Sequence, residues 1–255
     1  MSVAVLGLGE AGSRYAHDLS AAGVTVTAFD PVVSAIPDGV AEAPSAARAV
    51  ERADLVLSMV GGDAAAQAAN AAFPAMKEGA LFADMNTMAP QAKTDLAAVA
   101  ASAGVQFVDV AIMAPVPRAG AATRLLVAGS PAQQFAELFP IRQAPIQIVG
   151  TSVGAAAELK LLRSVFMKGL AALVIESVTA SEQSGSREWM IAEIANELGD
   201  SGEQLVERLI DGTTKHAIRR EHEMEDAEKH LDGVRSPSWM TRGTIQWLHH
   251  IVSGH

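Results

Sequence analysis

The stretch whose reading decides the fold is Val3-Ala4-Val5-Leu6-Gly7-Leu8-Gly9-Glu10-Ala11-Gly12. Residues 3–7 form a continuous apolar run ending in glycine, the pattern of a strand buried on both faces of a parallel sheet. Residues 12–22 follow with helical spacing, so the three glycines occupy a strand-to-helix turn. In a G-x-G-x-x-G turn the first glycine permits the tight bend. The second lets backbone approach a pyrophosphate, and the third lets the helix pack against the strand with its N-terminal amides aimed at the phosphates. The motif alone is common; its place between a buried strand and a helix gives it weight. Residues 24–29 read as a second strand closed by Asp30-Pro31, and an acid there binds the ribose hydroxyls of a dinucleotide. Gly7, Leu8, Gly9, Glu10, Ala11, Gly12 and Asp30 are therefore the expected cofactor contacts. A carboxylate at position 30 repels a 2′-phosphate and no arginine follows it directly, so NAD is expected ahead of NADP.

Outward from this turn, strand-like and helix-like segments alternate. Helical patterns cover residues 44–52, 63–73 and 90–103; strands are expected at 55–60, 80–84 and 106–110, and less clearly at 125–128 and 146–149. Such alternation implies crossover connections and a doubly wound parallel sheet. Residues 155–183 then read as one long apolar-rich helix, and no strand-like alternation reappears after it. The expected architecture is α/β: a Rossmann domain over residues 1–150, followed by an all-α domain over 151–255.

Composition narrows the function classes. The chain has 255 residues, 49% of them hydrophobic, enough for a packed core. A net charge of −10 argues against nucleic acid, whose phosphates need a basic face. No cysteine occurs, which removes disulfides, thiolate metal sites and cysteine nucleophiles together and fits a reducing compartment. The first apolar run lacks a basic leader, and the later ones are broken by charge before spanning length, so a cytoplasmic protein with no membrane partner is expected.

Four blocks carry a resemblance to the β-hydroxyacid dehydrogenase family, relatives of 6-phosphogluconate and 3-hydroxyisobutyrate dehydrogenases. GLGEAGSRYAHDL at 7–19 resembles the family's GLGxMGxxMAxNL. LSMVGG at 57–62 resembles the loop that lies along the cofactor, which would bring in Ser58, Met59 and Val60. DMNTMAP at 84–90 resembles D-x-S-T-x-x-P and would put Asn86 and Thr87 beside the nicotinamide ribose. GAAAELKLLRSVFMKG at 154–169 resembles the interdomain helix with the family's catalytic lysine, here Lys160. Two departures accompany the match. The family's D-A-P-V-S-G-G substrate loop has a serine where Met113 stands, and the asparagine one turn beyond the lysine is replaced by Ser164, preceded by Arg163. Met113, Arg163 and Ser164 are therefore the expected substrate-side residues, and a standard 3-hydroxyacid is not the expected substrate.

On spacing alone Lys160 has two readings, a lysine that snorkels to the surface and an acid/base. The resemblance favours the second. Beside a bound nicotinamide and partly desolvated, it would accept a hydroxyl proton as hydride leaves. Lys168, two turns along, is expected outside the cleft. Arg163 reads equally as an anion contact or a salt-bridge partner. None of the seven histidines forms the i, i+4 pair of a helical metal site, so no metal is expected; His222 is a minor candidate for substrate contact. The charged run at 219–230 reads as a solvated helix face, and Trp189, Trp239 and Trp247 as core or interface anchors. The expected function is hydride transfer between NAD and a small, anionic hydroxy compound. The alternative is an NAD(H)-binding regulator or scaffold without catalysis. The C-terminal half is small for an independent core, so a homodimer is expected.

Overall fold

The computed structural model describes residues 1–33 and 35–254. The chain separates into two compact units, Met1–Lys160 and Leu161–His255.

The first unit runs β1 (Ser2–Leu6), α1 (Glu10–Ala21), β2 (Thr25–Phe29), β3 (Ala41–Glu42), α2 (Ala46–Val50), β4 (Leu55–Ser58), α3 (Gly62–Ala72), β5 (Leu81–Asp84), α4 (Pro90–Ser102), β6 (Gln106–Ile112), β7 (Leu125–Ala128), α5 (Ala132–Leu138) and β8 (Ile146–Gly150). Its strands form one sheet in the order β3-β2-β1-β4-β5-β6-β7-β8. The chain starts in the middle, winds outward through β2 and β3, then returns to β4 on the other side of β1. That reversal opens a crevice beyond the carboxyl ends of β1 and β4, where α/β sheets hold their ligands.

The sheet is parallel except at one junction. β6 and β7 pair antiparallel, with Asp109 opposite Ala128. Residues 113–124 between them contain only two short 3-10 turns, Val116–Arg118 and Gly120–Ala122. A parallel return needs a crossover of a dozen or more residues, usually a helix, so without one the strand folds back on its neighbour. α5 supplies a crossover to β8, and the pairing is parallel again. The expected doubly wound parallel sheet is present, with β6–β7 as its one antiparallel junction.

The strand pattern decides which core each residue joins. Val3 and Val5 of β1 pack with Tyr15 and Leu19 of α1 on one face, while Ala4 and Leu6 pack with Val56, Phe82 and Phe107 on the other. This period of two puts apolar side chains on both faces, as a helix-covered sheet requires.

The expected boundary near residue 150 marks the end of the sheet, and the first unit continues to Lys160. Helix α6 (Ala155–Glu182) begins inside it, because its first turn is tied to Asp109 of β6. The second unit contains the rest of α6, then α7 (Arg187–Glu197), α8 (Gly202–Lys215), α9 (Ala217–Gly233) and α10 (Trp239–Ser253). Ala171, Val174 and Val178 of α6 pack with Ala195 of α7 and Val206 and Leu209 of α8. α9 buries Ala217, Met224, Ala227 and Leu231, so the charged run at 219–230 is the outer side of a half-buried helix. No helix of the described residues is long and apolar enough to cross a membrane.

Candidate active site

The glycine turn has the conformation its sequence requires. Gly7 has φ of +93°, and a Cβ there would lie 2.5 Å from the Met59 carbonyl oxygen. A Cβ at Gly12 would lie 1.9 Å from the Gly7 carbonyl oxygen, so α1 can approach the turn only with glycine at that position. Gly9 differs: its φ is −65°, and a Cβ would meet no protein atom within 4 Å. Neither backbone strain nor internal packing explains glycine there. A backbone kept bare for a pyrophosphate does. No side chain caps the N-terminus of α1, so its first amides stay open to an anion. The residues present therefore fit a dinucleotide.

Asp30 secures this turn from the end of β2. One carboxylate oxygen accepts the Leu8 N–H at 2.7 Å; the other accepts those of Val32 at 2.8 Å and Val33 at 2.9 Å. Partial burial pushes its pKa up, but the three backbone donors outweigh that and hold the carboxyl below its ordinary value. It therefore stays ionised at neutral pH, presenting a fixed negative charge beside the glycine turn.

Ser58 and Asn86 are both buried, and each spends its side chain inside the protein. Asn86 Oδ1 accepts the Gly61 N–H at 2.9 Å, while its Nδ2 donates to Ser58 Oγ at 3.0 Å and to Asp84 Oδ1 at 2.6 Å. Asn86 thus ties the loop after β4 to the loop after β5, bringing Met59, Val60 and Thr87, all half-buried, to the same end of the sheet. Thr87 Oγ1 accepts a hydrogen bond from Lys160 Nζ at 2.8 Å. The lysine singled out by sequence thus sits on the threonine singled out with it.

The first turn of α6 explains why Lys160 lies there. Asp109 Oδ2 accepts the N–H groups of Gly154, Ala156 and Ala157, each at 3.1 Å. A carboxylate at a helix N-terminus satisfies orphan amides and complements the helix dipole. Met113 packs beside this turn with Ala111, Leu126 and Ala156, and so adds an apolar wall where the family has a serine.

Beneath this arrangement lies a buried lysine that the sequence reading passed over. Lys93 on α4 is 1% exposed. Its Nζ donates to the Asp84 carbonyl oxygen at 2.8 Å and lies 3.5 Å from Asp84 Oδ2 and 3.4 Å from Asp109 Oδ1. Those two carboxylate oxygens are buried and accept no hydrogen bond, so the ammonium between them is what balances their charge. Breaking a buried ion pair by removing one partner costs roughly 3–5 kcal/mol, against about 0–1 kcal/mol for an exposed pair such as Arg48–Glu51. A sequence signal existed: Lys93, Leu96 and Ala100 share one face of α4, and the other two are apolar.

The remaining candidates belong to the second unit. Arg163 and His222 are exposed. Ser164 is buried, and its Oγ accepts a hydrogen bond from Lys168 Nζ at 2.9 Å. Lys168 also pairs with Glu223 at 2.5 Å. Burial, above all, lowers the Lys168 pKa; Arg220 and Arg163 add to this, and Glu223 opposes it. Its place on α6 turns Lys168 toward α9 within the helical unit. Trp189 and Trp239 are exposed, which removes them from this chain's own core, and Trp247 donates to Glu176.

Comparison with known proteins follows the same division. Residues 2–154 match the NAD binding domain of 6-phosphogluconate dehydrogenase, and residues 182–251 match a domain of unknown function, DUF1932. A conserved hypothetical protein from Sinorhizobium meliloti is 28% identical with a TM-score of 0.76, the match covering 98% of this chain and 87% of that one. The Mycobacterium tuberculosis 3-hydroxyisobutyrate dehydrogenase, 21% identical over 100% of this chain and 94% of its own, shares the fold with a TM-score of 0.82. An uncharacterised 28.5 kDa protein of Methanothermus fervidus is 28% identical over 107 residues, 42% of this chain; the match spans 43% of that relative's length. Since the matched domain takes in the glycine turn, Asp30, the DMNTMAP loop and more than half of the chain, the protein belongs to the family of the 6-phosphogluconate dehydrogenase NAD binding domain.

Proposed function

We propose that the protein is an NAD-dependent oxidoreductase acting on a small, anionic hydroxy compound, with Lys160 as the acid/base. The observation that carries this reading is the 2.8 Å hydrogen bond from Lys160 Nζ to Thr87, at the same sheet end as the glycine turn. A bound nicotinamide would take the hydride from the carbinol carbon. Lys160, as a neutral amine, accepts the hydroxyl proton; in the reverse direction its ammonium returns that proton to the carbonyl oxygen. Thr87 orients the amine, and Met113 keeps water from one side of the α6 turn. Arg163 is the candidate for the substrate's negative group. The absence of cysteine supports a cytoplasmic setting.

The test is an NADH fluorescence titration together with a turnover screen over hydroxyacids and their keto forms. Binding with turnover on some member of the panel is expected. Binding with none would favour the second reading, an NAD(H)-binding regulator, which has one observation behind it: Ser164, where the family has a catalytic-helix asparagine, is buried and bonded to Lys168.

Cofactor choice follows from Asp30. NADH is expected to bind more tightly than NADPH, by tenfold or more, because a 2′-phosphate would meet an ionised carboxylate, and like charges brought together can cost several kcal/mol. Titrating both cofactors checks this; equal affinities would mean Asp30 serves only the turn it caps.

The same reading includes a homodimer. Leu162, Phe166 and Leu173 fall on one face of α6, and Phe166 and Leu173 are 67% and 57% exposed. An apolar stripe of this kind marks an association surface. Light scattering is expected to give twice the chain mass, and Phe166→Asp to give the single-chain mass. A monomeric wild type at every concentration would remove the dimer from the account.

A further inference from the structure

Lys93 takes no part in the roles above, yet an ammonium so fully enclosed needs a reason. One carboxylate would suffice to pair it, but it lies between two, Asp84 and Asp109, which face each other across β5 and β6. Like charges directly opposite on neighbouring strands repel, and Lys93 holds them together. Each carboxylate spends its other oxygen on a different part of the candidate site. Asp84 Oδ1 accepts from the backbone and side-chain amides of Asn86, the residue before Thr87. Asp109 Oδ2 accepts from the first-turn amides of α6, one turn before Lys160. α4 also abuts the start of α6: a Cβ at Gly154 would lie 3.0 Å from the Pro90 carbonyl oxygen.

We propose that Lys93 is a positioning residue that clamps the Thr87 loop to the first turn of α6 and so holds Lys160 Nζ on Thr87. This rests on the reading of Lys160 as the acid/base. A lysine that merely neutralised two buried acids would leave Lys160 indifferent to its loss once the charge removed is balanced by neutralising one of those acids. A clamp would not: without it the α6 turn relaxes, and Lys160 swings toward water and titrates as an ordinary lysine.

The experiment labels the full-length protein, saturated with NAD⁺, with trace acetic anhydride across a pH series, and follows acetylated Lys160 by peptide mass spectrometry. Lys229, 73% exposed on α9, is the internal standard. In the wild type the Lys160 midpoint is expected below that of Lys229. In Lys93→Met it is expected to rise by about half a unit or more while Lys229 stays put. A low wild-type midpoint left unmoved by Lys93→Met would overturn the clamp and spare the acid/base reading. A wild-type midpoint equal to that of Lys229 would sink the acid/base reading, and the clamp with it. The double variant with Asp84→Asn removes one buried charge of each sign, an exchange buried pairs tolerate, and so separates the clamp from the direct effect of a lost cation, whether or not Lys93→Met folds. It keeps an acceptor for Asn86 and still breaks the link to Asp109, so the same rise is expected and its absence counts equally against the clamp.

Discussion

Lys160→Ala is expected to leave the fold and NADH affinity nearly unchanged while cutting turnover by roughly 10²–10⁴-fold, the usual contribution of a general acid–base. The fold survives because the helix is anchored upstream of this side chain, through Asp109 and the amides of Gly154, Ala156 and Ala157. Thr87 loses its donor, but it is only half-buried and its hydroxyl can turn to water. Lys160→Arg is expected to be as inactive as the alanine variant. A guanidinium preserves the charge but is effectively never deprotonated, so it cannot accept the hydroxyl proton. Steady-state rates on any substrate found in the screen, beside thermal melts and NADH titrations, separate these effects. Normal turnover by Lys160→Arg would make the residue an electrostatic anchor. Lys168→Ala acts elsewhere: it takes the nearer cation from the half-buried Glu223 carboxylate, leaving Arg219 at 3.8 Å, and its expected loss is in stability.

The second large effect concerns the glycine turn, where the second and third glycines of the motif are expected to behave differently. Gly12→Val forces a side chain into the Gly7 carbonyl and should lower both melting temperature and NADH affinity. Gly9→Val meets no protein atom and needs no unusual φ, so its melting temperature should match the wild type. Its NADH affinity should nevertheless fall tenfold or more, about 1.4 kcal/mol, because the branched side chain occupies the approach of the pyrophosphate. Wild-type affinity in Gly9→Val would place the phosphates away from this turn.

Much of this was legible in the sequence because it depends on local rules. The apolar run before Gly7 marks a doubly buried strand, Gly7 and Gly12 mark a turn that only glycine can make, and the long helix from 155 carries an uninterrupted pattern. What escaped the reading depends on contacts distant in sequence. β3 has two residues and is a strand only because β2 lies beside it. The reversed direction of β7 goes with a connection that holds no crossover helix, and strand periodicity carries no direction. The cap that Asp109 places on α6 spans 45 to 48 positions of sequence. Lys93 shares an otherwise apolar face of α4, but its partners on β5 and β6 cannot be read from spacing. The partner that α9 brings to Lys168, Glu223, lies 55 positions away in sequence and has no local signature. The bonds by which Asn86 joins two loops reach Gly61 and Ser58, 25 and 28 positions away.

The most direct test of the account is the pH dependence of substrate oxidation in the wild type and in Lys160→Ala, measured at saturating NAD⁺ and substrate. The account predicts that wild-type kcat falls with decreasing pH through a single ionisation, as Lys160 takes up a proton and loses the capacity to accept another. It predicts that the residual rate of Lys160→Ala loses this ionisation and runs flat over the same range. A Lys160→Ala profile that kept the wild-type ionisation would contradict the account, because the group accepting the hydroxyl proton would then lie elsewhere in the protein.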